Sequence, residues 1–165
     1  MRRPVVPRPR RSAPAEGGAR RRVTKPRPIR LRMPSRREAV APTVDRILEA
    51  VTPAGLDEDR LTDLAVALAE ALSNAAVHGH RLDPKRRVAV VVSVSPRCVV
   101  VEVSDSGGGF DAGGISDPTL PERQLAPSGR GIFLMRRLVD EVSYNAAGNT
   151  VRLTVRQPPN GGGGS

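Results

Sequence analysis

The sequence predicts an α/β domain with a non-globular tail at each end, on three observations. Two valine-rich segments, Arg87–Val94 and Arg97–Ser104, are separated by Ser95-Pro96, the pattern of a hairpin inside a sheet. Leu61, Leu64, Leu68 and Leu72 recur every three to four residues, which is helix periodicity. Residues 1–28 are Arg- and Pro-rich, and 158–165 are rich in glycine, compositions that bury too little apolar surface to offset the entropy of ordering them. Both tails are expected to be disordered or flexible, which leaves 29–157 as the folded domain.

The elements follow in order. Ile29 to Met33 alternates apolar and basic residues, the mark of a half-buried strand. Pro34-Ser35 breaks it, with Ser35 as N-cap of a helix through Val40, Val44, Ile47, Leu48 and Val51 that ends at Pro53-Ala54-Gly55. Asp57 caps the leucine-periodic helix, Asp57, Glu58 and Asp59 suit the positive end of its dipole, and Gly79 is placed to stop it. The valine hairpin leads directly into Asp105-Ser-Gly-Gly-Gly-Phe110. Residues 111–127 are Gly-, Pro- and Ser-rich without periodicity, so a long mobile loop is expected there. Ser128-Gly-Arg-Gly-Ile-Phe-Leu-Met135 opens a helix through Leu138 and Val139, and Asp140–Asn145 and Thr150–Arg156 are the last strands.

Composition narrows the function classes. Phe110, Phe133 and Tyr144 are the only aromatics, so the core is built from Val, Leu, Ile and Ala. The single cysteine, Cys98, allows no internal disulfide, and its valine-rich setting reads as a small buried hydrophobe rather than a nucleophile. No apolar stretch is long enough to span a bilayer and none follows Arg2-Arg3, so neither a membrane role nor export is expected and the chain is read as cytoplasmic. Residues 1–37 hold fourteen Lys and Arg against one acid, and 38–165 hold thirteen against sixteen, so the net +10 resides in the tail. Nucleic acid is therefore a partner for that tail at most, and the same tail reads equally as a solubilising segment.

The candidate chemistry lies in three places. Glu70, Asn74 and His78 fall four residues apart on one helical stripe. Such a row supplies a base, a metal ligand and an orienting group, or it is the wet face of an amphipathic helix. Asp105 ends a strand with a carboxylate able to accept from an exocyclic amine such as adenine's, and Gly107 and Gly109 let backbone approach a ligand. Gly129 and Gly131 open a helix whose free N–H groups favour an anion such as phosphate.

Together, Glu-x-x-x-Asn-x-x-x-His-Gly, Asp-x-Gly-x-Gly-Phe and Gly-x-Gly resemble the three boxes of the GHKL (Bergerat-fold) ATPase superfamily. Gly129-Arg-Gly-Ile-Phe-Leu-Met-Arg, Leu138-Val-Asp-Glu-Val and Gly148-Asn-Thr-Val-Arg-Leu resemble its anti-sigma-factor serine/threonine kinases more closely. The resemblance implies an α+β two-layer sandwich, a mixed and mostly antiparallel sheet with helices on one face, and ATP with Mg2+ beside the helices. It implies Glu70 as general base and Asn74 as magnesium ligand. Asp105, Gly107, Gly109 and Phe110 become the adenine loop, Gly129, Arg130, Gly131 and Ile132 the phosphate cradle, and 111–127 the ATP lid. Arg130 reads as a phosphate neutraliser or as a solvated side chain, and His78 as a local hydrogen-bonding residue.

The same resemblance implies an anti-sigma-factor antagonist as phosphoacceptor, a sigma factor as second partner, a surface near Arg36 and Arg37 for them, and homodimers. His78 and His80 are the only histidines, so a phosphoacceptor histidine on a separate helix is not expected, and neither, in 165 residues, is a transducing domain. The expected activity is transfer of phosphate from ATP to serine or threonine. The alternatives are an ATP-holding partner-switching module with little transfer, or a detached ATP domain of a histidine kinase.

Overall fold

A computed structural model describes residues 27–109 and 127–157. The expectations for residues 1–26, for Phe110 and the loop to residue 126, and for 158–165 lie outside the described residues. Strands β1 (Ile29–Pro34), β2 (Arg87–Val94), β3 (Cys98–Ser104), β4 (Glu141–Tyr144) and β5 (Thr150–Arg156) form one sheet in the order β1-β2-β3-β5-β4. Every neighbouring pair is antiparallel, so the sheet expected as mixed is wholly antiparallel among the described residues. The alternating residues line up across it: Leu31, Val90, Val103 and Val151 form one row, and Val92, Val101 and Leu153 another. These valines and Leu153 are buried, because a pleated strand sends alternate side chains to one face.

That face is covered by helices α1 (Val40–Val51), α2 (Glu58–Asn74) and α3 (Pro127–Leu138), with α2 packed against both others. Val44, Ile47 and Val51 of α1, Leu64, Leu68 and Leu72 of α2, and Ile132 and Met135 of α3 complete the core. Each fully buried leucine there contributes about 1.5–3 kcal/mol by leaving water. The opposite face carries Arg30, Arg32, Arg152 and Glu102, with Arg152 Nη1 donating to Glu102 Oε1 across β5 and β3 at 3.1 Å. Cys98 belongs to this second face and is only half-buried, since Val99 takes the core position; the expected buried cysteine is thereby corrected. Among the described residues no helix is long and apolar enough to cross a membrane.

Two predicted helix signals have different physical roles. Asp57 does cap α2, accepting the Arg60 amide at 2.8 Å, an interaction worth about 1 kcal/mol. Ser35 does not cap α1, which is entered through a 3-10 turn at Arg37–Ala39; Ser35 is fully buried and its hydroxyl meets His80. The helical run stops at Gly79, as expected, though not through a left-handed cap. The helix widens into a π turn over Ala75–Gly79, where the His80 amide donates to the Ala75 carbonyl five residues back at 2.9 Å.

At the far end of α2 a clasp holds helix and sheet together. Arg60 Nη2 pairs with Asp140 Oδ2 at 3.1 Å and donates to the Arg156 carbonyl, while the Arg156 amide donates to Asp140 Oδ2 at 2.7 Å. Burial pushes the Asp140 carboxyl up, but the Arg156 amide and the charges of Arg60 and Arg156 outweigh it and leave it below the usual aspartate value. A carboxyl depressed on folding stabilises fully above the unfolded value, near 4, and loses that contribution as pH falls through the folded one. Asp140→Ala is therefore expected to lower stability by about 1 kcal/mol in urea melts at pH 7, a difference that shrinks steadily as the melts are repeated below pH 4.

Candidate functional site

Glu70 and Asn74 stand one turn apart at the C-terminal end of α2, both half-buried. Gly131 of α3 lies over the pair: a Cβ there would sit 2.8 Å from Glu70 Oε2 and 3.2 Å from Asn74 Nδ2. Two helices come this close only where one of them has no side chain. Among the described residues neither Glu70 nor Asn74 is held by a hydrogen bond or ion pair. His78 leaves the row. The π turn that begins at Ala75 carries it off the stripe into solvent, where it is exposed.

The second half of the site is the turn after β3. The Asp105 amide donates to the Asn149 carbonyl at 2.9 Å, and the Gly107 amide donates to Asp105 Oδ1 at 2.7 Å, folding the loop back on its own carboxylate. The carboxylate rests on the backbone of Gly79, where a Cβ would overlap it; a Cβ at Gly107 would overlap the Gly79 carbonyl oxygen. The end of α2 and the loop after β3 are thus joined through glycines. Gly109 has φ +67°, and a Cβ there would overlap the Ala147 carbonyl of the β4–β5 turn. Neighbouring backbone alone thus requires glycine at 107 and 109.

The third predicted element is shifted. Helix α3 starts at Pro127, whose nitrogen carries no hydrogen, so the amides of Ser128 and Gly129 are the ones without partners inside the helix, and Gly131 and Ile132 lie further in. Ile132 buries its side chain in the core, which leaves only its backbone for a phosphate, and Arg130 is exposed. Arg36 and Arg37 are both exposed beside the start of α1. Among the described residues no cluster of three His, Cys, Asp or Glu side chains is placed to hold a metal ion unaided. A cation that shares its ligands between one carboxamide oxygen and a phosphate needs no such cluster.

His80, next to Gly79, carried no signal in the sequence beyond its neighbour. It is 3 % exposed, with Ser35 Oγ 2.6 Å from Nδ1 and the Ser106 amide donating to Nε2 at 2.8 Å.

A family model described as the histidine kinase-like ATPase domain matches residues 33–155. The serine-protein kinase RsbW of Bacillus subtilis (strain 168) is 30% identical over 133 residues, 76% of this chain and 83% of that protein. The anti-sigma F factor of Geobacillus stearothermophilus is 33% identical over 115 residues, 66% of this chain and 79% of that one. A crystal structure of the RsbU and RsbW domains of a Mycobacterium tuberculosis protein superposes with a TM-score of 0.55 at 20% identity, over 80% of this chain. This chain spans 33% of that solved chain, and the likeness is one of fold.

Proposed function

Because the chain belongs to the histidine kinase-like ATPase family, among its anti-sigma-factor serine/threonine kinases, we propose that it transfers the γ-phosphate of Mg-ATP to a serine or threonine of an anti-sigma-factor antagonist. One observation carries the reading: Glu70 and Asn74 lie side by side beneath Gly131, while Asp105 is held against Gly79 just past the same helix. A flat base with an exocyclic amine suits the carboxylate, and a polyphosphate suits the amides that open α3.

When bound, Mg2+ neutralises charge on the phosphates. Asn74 offers it a hard oxygen ligand of the kind magnesium takes alongside phosphate oxygens. Asp105 orients the nucleotide by accepting from the adenine amine. Glu70 takes the proton of the attacking hydroxyl as its oxygen bonds to the γ-phosphorus, and the bond to the β-phosphate oxygen breaks with its electron pair leaving on ADP. The antagonist and a sigma factor are the proposed partners, met near Arg36 and Arg37 by a homodimer in the cytoplasm.

The test is magnesium-dependent ATP binding by the full chain, measured by calorimetry. Asn74→Ala is expected to weaken it at least tenfold, about 1.4 kcal/mol. Binding that is absent in the wild type, or unchanged by the substitution, overturns the proposal. The relatives named anti-sigma factors favour a second reading, a module that holds nucleotide and sequesters its target. Tight nucleotide binding without phosphate transfer to any antagonist would select it.

A further inference from the structure

The nucleotide-site reading assigns no task to His80, yet this imidazole is among the most constrained polar groups in the domain. It follows Gly79 at the end of the π turn, and the chain beyond it passes through two consecutive left-handed residues, Arg81 (φ 53°) and Leu82 (φ 57°). Side chains other than glycine adopt that conformation at a cost, so the surrounding contacts must hold it. The Leu82 amide donates to the Ala76 carbonyl at 2.8 Å, and the Asp83 amide donates to the His80 carbonyl at 3.1 Å.

The hydrogen bonds of the ring determine its proton. A backbone amide can only donate, so Nε2, which receives the Ser106 amide at 2.8 Å, must present a lone pair. The neutral ring then carries its hydrogen on Nδ1, which donates to Ser35 Oγ at 2.6 Å. Ser106 Oγ lies 3.0 Å from the same Nε2. Around the ring the circuit closes: the Ser35 amide donates to the Arg86 carbonyl at 3.3 Å, and Arg86 Nη1 donates to the Ser106 carbonyl at 3.4 Å. Three segments distant in sequence meet at one ring: the β1–α1 turn, the loop after the π turn, and the loop after β3.

Ser106 lies between Asp105 and Gly107, the two residues whose carboxylate and amide close the loop. We propose that His80 is the positioning residue of this loop: by holding the Ser106 amide it sets the direction of the Asp105 carboxylate and hence the selectivity for an adenine base. The inference rests on the reading of the site as a nucleotide site. It makes His80 neither ligand nor catalyst. Its action passes through Ser106 to Asp105, and through Ser35 it ties the base-reading loop to the start of the helical layer.

The test compares binding of ADP and GDP by the full chain in wild type, His80→Phe and His80→Gln. Phenylalanine keeps the volume and offers no acceptor, whereas the glutamine carboxamide oxygen can replace Nε2 toward the Ser106 amide. His80→Phe is expected to weaken ADP at least about tenfold and GDP by less than about threefold, and His80→Gln to restore ADP to within about threefold of wild type. A general loosening of the fold would weaken both nucleotides together and would not be rescued by glutamine. Equal ADP binding by His80→Phe, parallel loss of ADP and GDP, or failure of His80→Gln to rescue overturns the inference while leaving the nucleotide site standing. A wild type that binds neither nucleotide overturns the site reading and this inference with it. Should His80→Phe not fold, long-range nitrogen-15 spectra of the wild-type imidazole decide: the hydrogen on Nδ1 supports the relay, and a hydrogen on Nε2 overturns it.

Discussion

Glu70→Gln is expected to slow phosphate transfer to a protein hydroxyl by about 10²–10⁴-fold, the range contributed by a positioned general base. The substitution keeps the length and shape of the side chain under Gly131, where a Cβ would sit 2.8 Å from Glu70 Oε2, so packing between α2 and α3 is preserved. It removes the negative charge and the basicity that let the side chain accept the hydroxyl proton. The affinity for Mg-ATP should stay equal or rise slightly, because a carboxylate beside a polyphosphate repels it. Single-turnover transfer to the antagonist, measured beside equilibrium binding, separates these outcomes. Transfer retained above about a tenth of wild type would take Glu70 out of the chemistry, since a loss that small lies below the range for general-base catalysis. Equal loss of binding and transfer would instead make it a structural residue of the pocket.

The fold and the site were legible in the sequence to different depths, for physical reasons. The strands were legible because both segments are rich in valine, but which valines face the core was not: Val88, Val90, Val92, Val99, Val101 and Val103 are buried, while Val91 and Val100 are half-buried on the other face of the pleat. Helix α2 was legible through Leu64, Leu68 and Leu72, all of which reach the core. Glu70 and Asn74 could be paired because regular helix geometry sets four residues on one row, and the pairing holds up to Asn74. It fails at His78, since a π turn is a response to tertiary packing and leaves no periodic trace. Ser35 has the residue type of a cap and Cys98 that of a core hydrophobe. Their real surroundings, a histidine 45 residues away and the outer face of the sheet, are set by contacts that no local pattern encodes. The order of the strands and the closure of the Ser35–His80–Ser106 circuit belong to the same class.

Gly79 is the clearest case of a residue chosen for a reason other than its local one. The helical run ends at Gly79 without a left-handed backbone, the positive-φ glycines among the described residues being Gly55, Gly109 and Gly148. What it provides is space, since any Cβ at 79 would overlap the Asp105 carboxylate. The obstructing group is the end of a side chain, so Gly79→Ala is expected to leave the fold intact, with a stability loss of about 1–3 kcal/mol, and to turn the carboxylate away. Displacing an orienting group by about 1 Å can cost as much as 10²-fold, and at least a tenfold loss of adenine-nucleotide affinity is expected here. The double variant gives the sharper outcome. If Gly79→Ala acts through Asp105, it adds almost nothing to the loss already caused by Asp105→Ala, because two changes that remove one contact are not additive. Full additivity of the two losses would mean that Gly79 serves the nucleotide by a separate route, and would break the link between the end of α2 and the base-reading loop.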